Sequence, residues 1–330
     1  MSNRLYITAF ISFFLVSSCQ FPEKSSTDIA SSPTASFKVD FDENLAYSYI
    51  EKQVSFGPRN PGSSGHADCA SWINSELIKL TDSAYIQEFD AITYDGKKYK
   101  GKNLIAKLNP SNPNRVLLCA HWDTRPIADH DTKDQTKPIL GANDAGSGVG
   151  IILSILDYLK KNKSSMGIDI VFFDIEDYGQ PQNSEFLPME HSWCLGSQFW
   201  GKNYRDAIRP RWGILLDMVG GANATFLKEE LSMQYASNLQ NRIWNNAESL
   251  GFKSTFIPEA MGTIEDDHLY VNTLTGIPTV DIIHYKQNNG GFADYWHTHD
   301  DNLTSVDKKT LKSVGSTVLY TIIEEAKIGQ

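Results

Sequence analysis

The stretch GFADYWHTHDDN, residues 291–302, places Trp296, His297, His299, Asp300 and Asp301 in one short polar loop. Three further stretches, CAHWDTRP, GANDAGSG and FFDIEDYG, each end an apolar run in a turn that bears a carboxylate. Zinc takes nitrogen and oxygen ligands, and a catalytic zinc keeps one position open. Carboxylates from Asp144 and Asp177 with one imidazole would make such a site, and no C-x-x-C or H-E-x-x-H motif competes for the metal. Asp144 sits in a glycine-rich loop that leads into a helix. In DIEDYG the adjacent Glu176 and Asp177 can divide their roles: one binds metal, and its neighbour, raised in pKa by burial and like charge, moves protons. GTIEDDHLY supplies a second acidic knot at Asp266 and Asp267. The bland alternative makes these acids helix caps, surface charges or calcium ligands. No EF-hand loop is present, and that alternative leaves the aromatic–histidine loop unexplained.

These residues need a frame that brings them together. Apolar runs at 103–108, 115–120, 168–173, 212–217 and 277–283 read as strands. Helical spacing appears in 43–57 and 65–80, with the loop GPRNPGSSG between them, and again in 147–162, 232–251 and 308–327. Strands alternating with helices imply an α/β fold with a mixed, mostly parallel central sheet flanked by helices on both faces. His121 and Asp123 follow one strand, Asp174 to Asp177 another, and Asp217 ends a third. Ligands in such sheets bind at the carboxyl ends of strands, so these acids point to one convergent site.

With 330 residues, 41% hydrophobic and 21% charged, the chain has the profile of a globular enzyme. A net charge of -10 with no basic stripe argues against a nucleic-acid partner. The start reads differently. One Arg, an apolar run from Leu5 to Val16 and LVSSC have signal-peptide proportions, and LVSSC resembles a bacterial lipobox. The expected organisation is a signal peptide at 1–18, a lipidated Cys19 with a flexible tether over 19–40, and one catalytic domain at 41–330. An ordinary cleaved signal is the alternative. Lipidation would anchor the protein to a membrane at the periplasmic face of a bacterial envelope. Cys69, Cys119 and Cys194 form no disulfide framework, and Cys119 reads as a buried small hydrophobe. His66, His130 and His191 read as surface or loop residues, His268 and His284 as structural ones. Asp123 is expected to orient His121, and Arg125 to pair with a nearby acid.

Taken in order, AHWDT, NDAGSG, DIEDYG, LLDMVG and YWHTHDDN resemble the zinc-dependent aminopeptidase superfamily with an α/β core. Within it, IEDDH, the Trp296-His297 pair and HTHDDN resemble the glutaminyl cyclases, above all their bacterial, periplasmic-type members. The resemblance spans residues 43 to 325. It implies one zinc per chain held by Asp144, Asp177 and His297, which settles the choice of histidine and leaves His299 to the loop. It implies Glu176 as general acid and base, Asp217 and Asp266 as paired acids near the metal, and Trp193, Trp296 and Phe292 as pocket walls. The implied activity converts the N-terminal glutamine of peptides or proteins to pyroglutamate with release of ammonia. Asp177 and Asp281 depart from the animal cyclases, which carry Glu and His there. One rival is a two-zinc aminopeptidase of the same fold, with His121 and Asp217 as further ligands. The other is a peptide- or glycan-binding lipoprotein without catalysis, which a missing ligand or a missing Glu176 would have favoured.

Overall fold

The computed structural model describes residues 39–286 and 290–328. The elements run α1 (Glu43–Val54), α2 (Ser64–Leu80), β1 (Ser83–Ile92), β2 (Lys98–Leu108), β3 (Arg115–His121), α3 (Gly146–Lys161), β4 (Gly167–Phe173), α4 (Leu195–Lys202), β5 (Gly213–Asp217), β6 (Phe226–Lys228), α5 (Glu230–Ser249), β7 (Phe256–Ala260), α6 (Asp267–Thr275), β8 (Thr279–Ile283) and α7 (Lys308–Ile328). Six strands form one sheet in the order β1-β2-β4-β3-β5-β8, and β6 and β7 pair separately. β4, β3, β5 and β8 are parallel, while β2 joins β4 and β1 antiparallel. Every residue of the four parallel strands is buried, which is why each reads as an unbroken apolar run.

The pleat divides these side chains between two cores. Leu118, Ala120, Ile170, Phe172, Ile214 and Leu216 face the larger core with α1, α2, α3, α5 and α7. Leu117, Cys119, Val171, Phe173 and Leu215 face the other side, against Trp200 of α4 and Val271 of α6. Helices thus cover both faces, as the alternation of elements implied. β1, β6, β7, α4 and α6 went unread in the sequence. β1 alternates Glu88 and Asp90 with Phe89 and Ala91 at an exposed edge, and the others are short.

His66 corrects the sequence reading. It lies on the inner face of α2, is 3% exposed, and its Nε2 sits 2.9–3.0 Å from both Asp174 carboxylate oxygens, with the ring stacked on Trp122. Among the described residues, no helix is long and apolar enough to cross a membrane. The segment carrying Cys19 lies outside the described residues.

Candidate active site

Three strand ends and two loops meet at one cavity of about 250 Å³. β4 delivers Glu176 and Asp177 in the turn that follows Phe173. The Asp123 carboxylate fixes that turn by accepting from the backbone N–H of Glu176 (3.1 Å) and of Asp177 (3.3 Å). Asp123 thus braces the turn as well as flanking His121, whose Nδ1 stands 3.6 Å from its carboxylate. Buried Arg125 donates to the carbonyls of Asp177 and Gly179 at 2.9 Å, and pairs with Asp129 as a two-pronged fork at 2.8 and 3.0 Å.

Asp144 precedes α3, and its loop is clamped by Asp301. The Asp301 carboxylate accepts from the N–H groups of Asn143 (2.8 Å) and Asp144 (3.0 Å). Burial and the charge of Asp144 push Asp301 up to about 7. Asn143 Oδ1 accepts from Gly220 N–H and Ser147 Oγ from Val219 N–H, which stitches this loop to the turn after β5. A Cβ on Gly148 would lie 2.2 Å from the Leu216 carbonyl oxygen, so only glycine lets α3 approach β5 this closely.

His297 Nε2 lies 3.1 Å from Asp177 Oδ1 and 3.9 Å from Asp144 Oδ2, and its Nδ1 lies 3.3 Å from Asp129. A carboxylate behind a histidine fixes its ring and its tautomer, as at metal centres. Donor atoms of Asp144, Asp177 and His297 all fall within 4.8 Å of one another, and Asp177 Oδ2 is buried without a hydrogen-bond partner among the described residues. Two carboxylates and an imidazole in this arrangement suit zinc. Donors of His121, Asp144 and Asp217 also converge, with His121 Nε2 2.9 Å from Asp144 and 3.1 Å from Asp217.

Burial raises the Glu176 carboxyl well above its ordinary range; His121 opposes this, and the charges of Asp177 and Asp266 add to it. Asp217 is pushed up to about 7, by burial and then by Asp144. Asp266 caps α6 by accepting from Asp267 N–H, and it too is raised by burial. For His297, burial favours the neutral ring, but Asp177 and Asp129 outweigh it and the pKa rises.

The walls are aromatic. Trp296 stacks on His297 at 3.7 Å between ring centroids, Trp193 lies nearly parallel to His297 at 6.0 Å, and Phe292 meets Trp296 at 4.6 Å. Trp193 also carries the Arg125 guanidinium over its ring at 4.6 Å. A Cβ on Gly179 would stand 1.8 Å from Trp193 Cδ2, so the glycine makes room for this wall. Glu176, Asp217, Asp266, Asp144, Asp177, His297, Trp193, Trp296 and Phe292 all line the one cavity. His299 is not among its lining residues and pairs with Asp131 at 2.8 Å. His191 is exposed, whereas His268 and His284 are buried, His268 Nε2 lying 3.1 Å from Glu229.

Cys194, Asp129 and Asp301 were missed as site residues. Buried Cys194 donates from Sγ to Glu176 Oε1 at 3.4 Å, and burial followed by the charge of Glu176 keeps it a thiol. Its contact spans 18 residues of chain, so no local pattern betrays it. Asp301 lies within HTHDDN, but its partners lie more than 150 residues upstream. Ile175, Cys194, Met218 and His297 all take positive φ, from 48° to 58°, although none is glycine. Such strain collects where surrounding structure holds side chains in place for a purpose.

The sequence pattern of peptidase family M28 matches residues 103–322. The structure of Tannerella forsythia glutaminyl cyclase is 46% identical, with a TM-score of 0.83 over 86% of this chain and 99% of that one. Bacteroides thetaiotaomicron glutaminyl cyclase, bound to N-acetylhistamine, is 44% identical with a TM-score of 0.83 over 86% of this chain and 98% of its own. A leucine aminopeptidase precursor from the same organism is 44% identical, TM-score 0.82, over 86% and 97%. Aminopeptidase YwaD of Bacillus subtilis is 25% identical over 68% of this chain, which spans only 45% of that protein's length. The chain belongs to peptidase family M28 and, within it, to the bacterial glutaminyl cyclases.

Proposed function

We propose that this protein is a glutaminyl-peptide cyclotransferase, turning the N-terminal glutamine of peptides or proteins into pyroglutamate with release of ammonia. One observation carries the reading: Glu176, whose carboxyl burial raises well above its ordinary range and so makes it a stronger base, lines with Asp217 and Asp266 a tryptophan-walled cavity of about 250 Å³, suited to one folded residue rather than an extended peptide. Asp144, Asp177 and His297 would hold one zinc, which supplies Lewis acidity toward the glutamine side-chain amide oxygen. Trp193, Trp296 and Phe292 fold the glutamine so that its α-amine faces its own side-chain carbonyl carbon, a gain in proximity that needs no second reactant. Glu176 takes a proton from the attacking amine and returns it to the amide nitrogen, which leaves as ammonia. One C–N bond forms and one breaks, and no water is consumed. Asp217 and Asp266 stabilise the positive charge that moves between the two nitrogens. Cys194 holds Glu176 in place through its thiol.

A second reading rests on the convergence of His121, Asp144 and Asp217, which could hold a second metal in an aminopeptidase. His121 Nε2 stands 2.9 Å from Asp144 and 3.1 Å from Asp217. The signal-like segment 1–18 and LVSSC support export, with Cys19 as the lipid anchor, 19–40 as tether and 41–330 as catalytic domain.

The test mixes zinc-loaded protein lacking residues 1–19 with a peptide beginning in glutamine and another beginning in leucine. Mass spectrometry should show loss of ammonia from the first alone. Glu176→Gln should slow it ~10²–10⁴-fold. Free amino acid released from either peptide would replace this reading with the aminopeptidase.

A further inference from the structure

A second cavity, of about 350 Å³, adjoins the catalytic one and shares Trp193 and Glu265 with it. It lies along the segment 180–192, which is held in a defined shape. Gln180 donates from its side chain to the carbonyls of Phe186 (3.2 Å) and Leu187 (3.1 Å), and accepts from Met189 N–H at 2.7 Å. Its own N–H donates to Ser192 Oγ at 3.0 Å. His191 Nδ1 pins the segment to the start of α6, 3.0 Å from Tyr270 Oη and 3.2 Å from Glu265.

This fixed backbone nonetheless leaves Phe186 51%, Leu187 88% and Met189 37% exposed. Exposed apolar side chains gain little from folding, so a cluster on a braced segment beside a reaction site points to contact with something else. Phe186, Pro188 and Met189 give the cavity an apolar floor, Glu190 and Glu265 give it negative charge, and no Lys or Arg lines it.

Position identifies the occupant. A peptide with its first residue folded into the catalytic pocket must leave by the mouth, and Trp193 is the wall over which it passes. We propose that this cavity receives the side chain of the residue following the glutamine, and that it favours a long basic side chain over an acidic one. The alkyl stem of lysine or arginine lies on Met189 and Phe186 while its cation meets Glu190 and Glu265. The inference rests on the cyclase reading.

The experiment measures kcat/KM of the zinc-loaded protein on glutaminamide, on Gln-Lys-Ala-Ala and on Gln-Glu-Ala-Ala, each peptide rate normalised to glutaminamide in the same variant. The lysine peptide should exceed the glutamate peptide about tenfold at low salt, chiefly through KM, and less so at high salt. Glu190→Lys should bring the ratio to one or below, and Met189→Ser should weaken the lysine peptide alone. Normalised rates within about twofold of each other, or a preference that Glu190→Lys leaves untouched, would overturn the subsite while leaving cyclisation standing. If glutaminamide itself releases no ammonia, the cyclase reading falls and takes the subsite with it.

Discussion

At the scale of the residue, what decides this site is how its carboxyls are braced. Glu176 and Asp177 are neighbours in sequence but are held apart in role by different contacts. Asp177 faces His297 at 3.1 Å, while Glu176 meets the Cys194 thiol at 3.4 Å. Removing that donor should cost turnover: Cys194→Ala is expected to lower kcat about fivefold and shift the pH profile of kcat, and Cys194→Ser, which keeps a donor, should recover most of the rate. Equal rates for all three proteins would remove Cys194 from the account. The acids themselves were legible because each breaks an apolar run at a fixed place, Asp177 after IDIVFF and Asp217 at the end of WGILLD. Their supports were not. Asp123 was read as the partner of His121, which it flanks, but it also binds two backbone N–H groups some 50 residues away, a contact that only the closed sheet creates.

At the scale of the element, the parallel strands announced themselves because burial on both faces leaves no room for polar alternation. α6 did not, because its nine residues carry weak periodicity and its cap, Asp266, reads equally as an acidic knot. Its position depends on Glu229. That carboxylate caps α5, accepting from Leu231 and Ser232 N–H, accepts from Ile264 N–H, and meets His268 of α6 at 3.1 Å. Burial alone would raise its pKa, but His268 and the backbone donors win and hold it down to about 2 from its usual 4.5. A folded-state pKa below the unfolded one means stability that is full above pH 4.5 and is lost as pH falls toward 2. Urea unfolding should therefore show a steep acid loss in this window. Glu229→Gln should flatten it, after costing about 1.5–3 kcal/mol at neutral pH. An unchanged acid limb in that variant would assign the acid loss to other carboxyls.

At the scale of the molecule, a sheet buried on both faces presents its carboxyl edge as one surface, and the acids carried there repel one another until a cation or protons join them. Loss of metal should thus be felt by the fold as well as by the chemistry. Dialysis against a chelator is expected to abolish ammonia release and lower Tm, and one equivalent of zinc per chain should restore both. A requirement for two equivalents would bring His121 and Asp217 in as ligands and favour the aminopeptidase. The central claim is that the pocket joins two ends of one residue and leaves water out. Its most direct measurement runs the reaction on a glutamine peptide in heavy-oxygen water and weighs the products. Cyclisation predicts a pyroglutamyl peptide free of heavy oxygen beside an equal amount of ammonia. Free glutamine with heavy oxygen in its carboxyl would mean that water had attacked the first peptide bond, and would contradict the account.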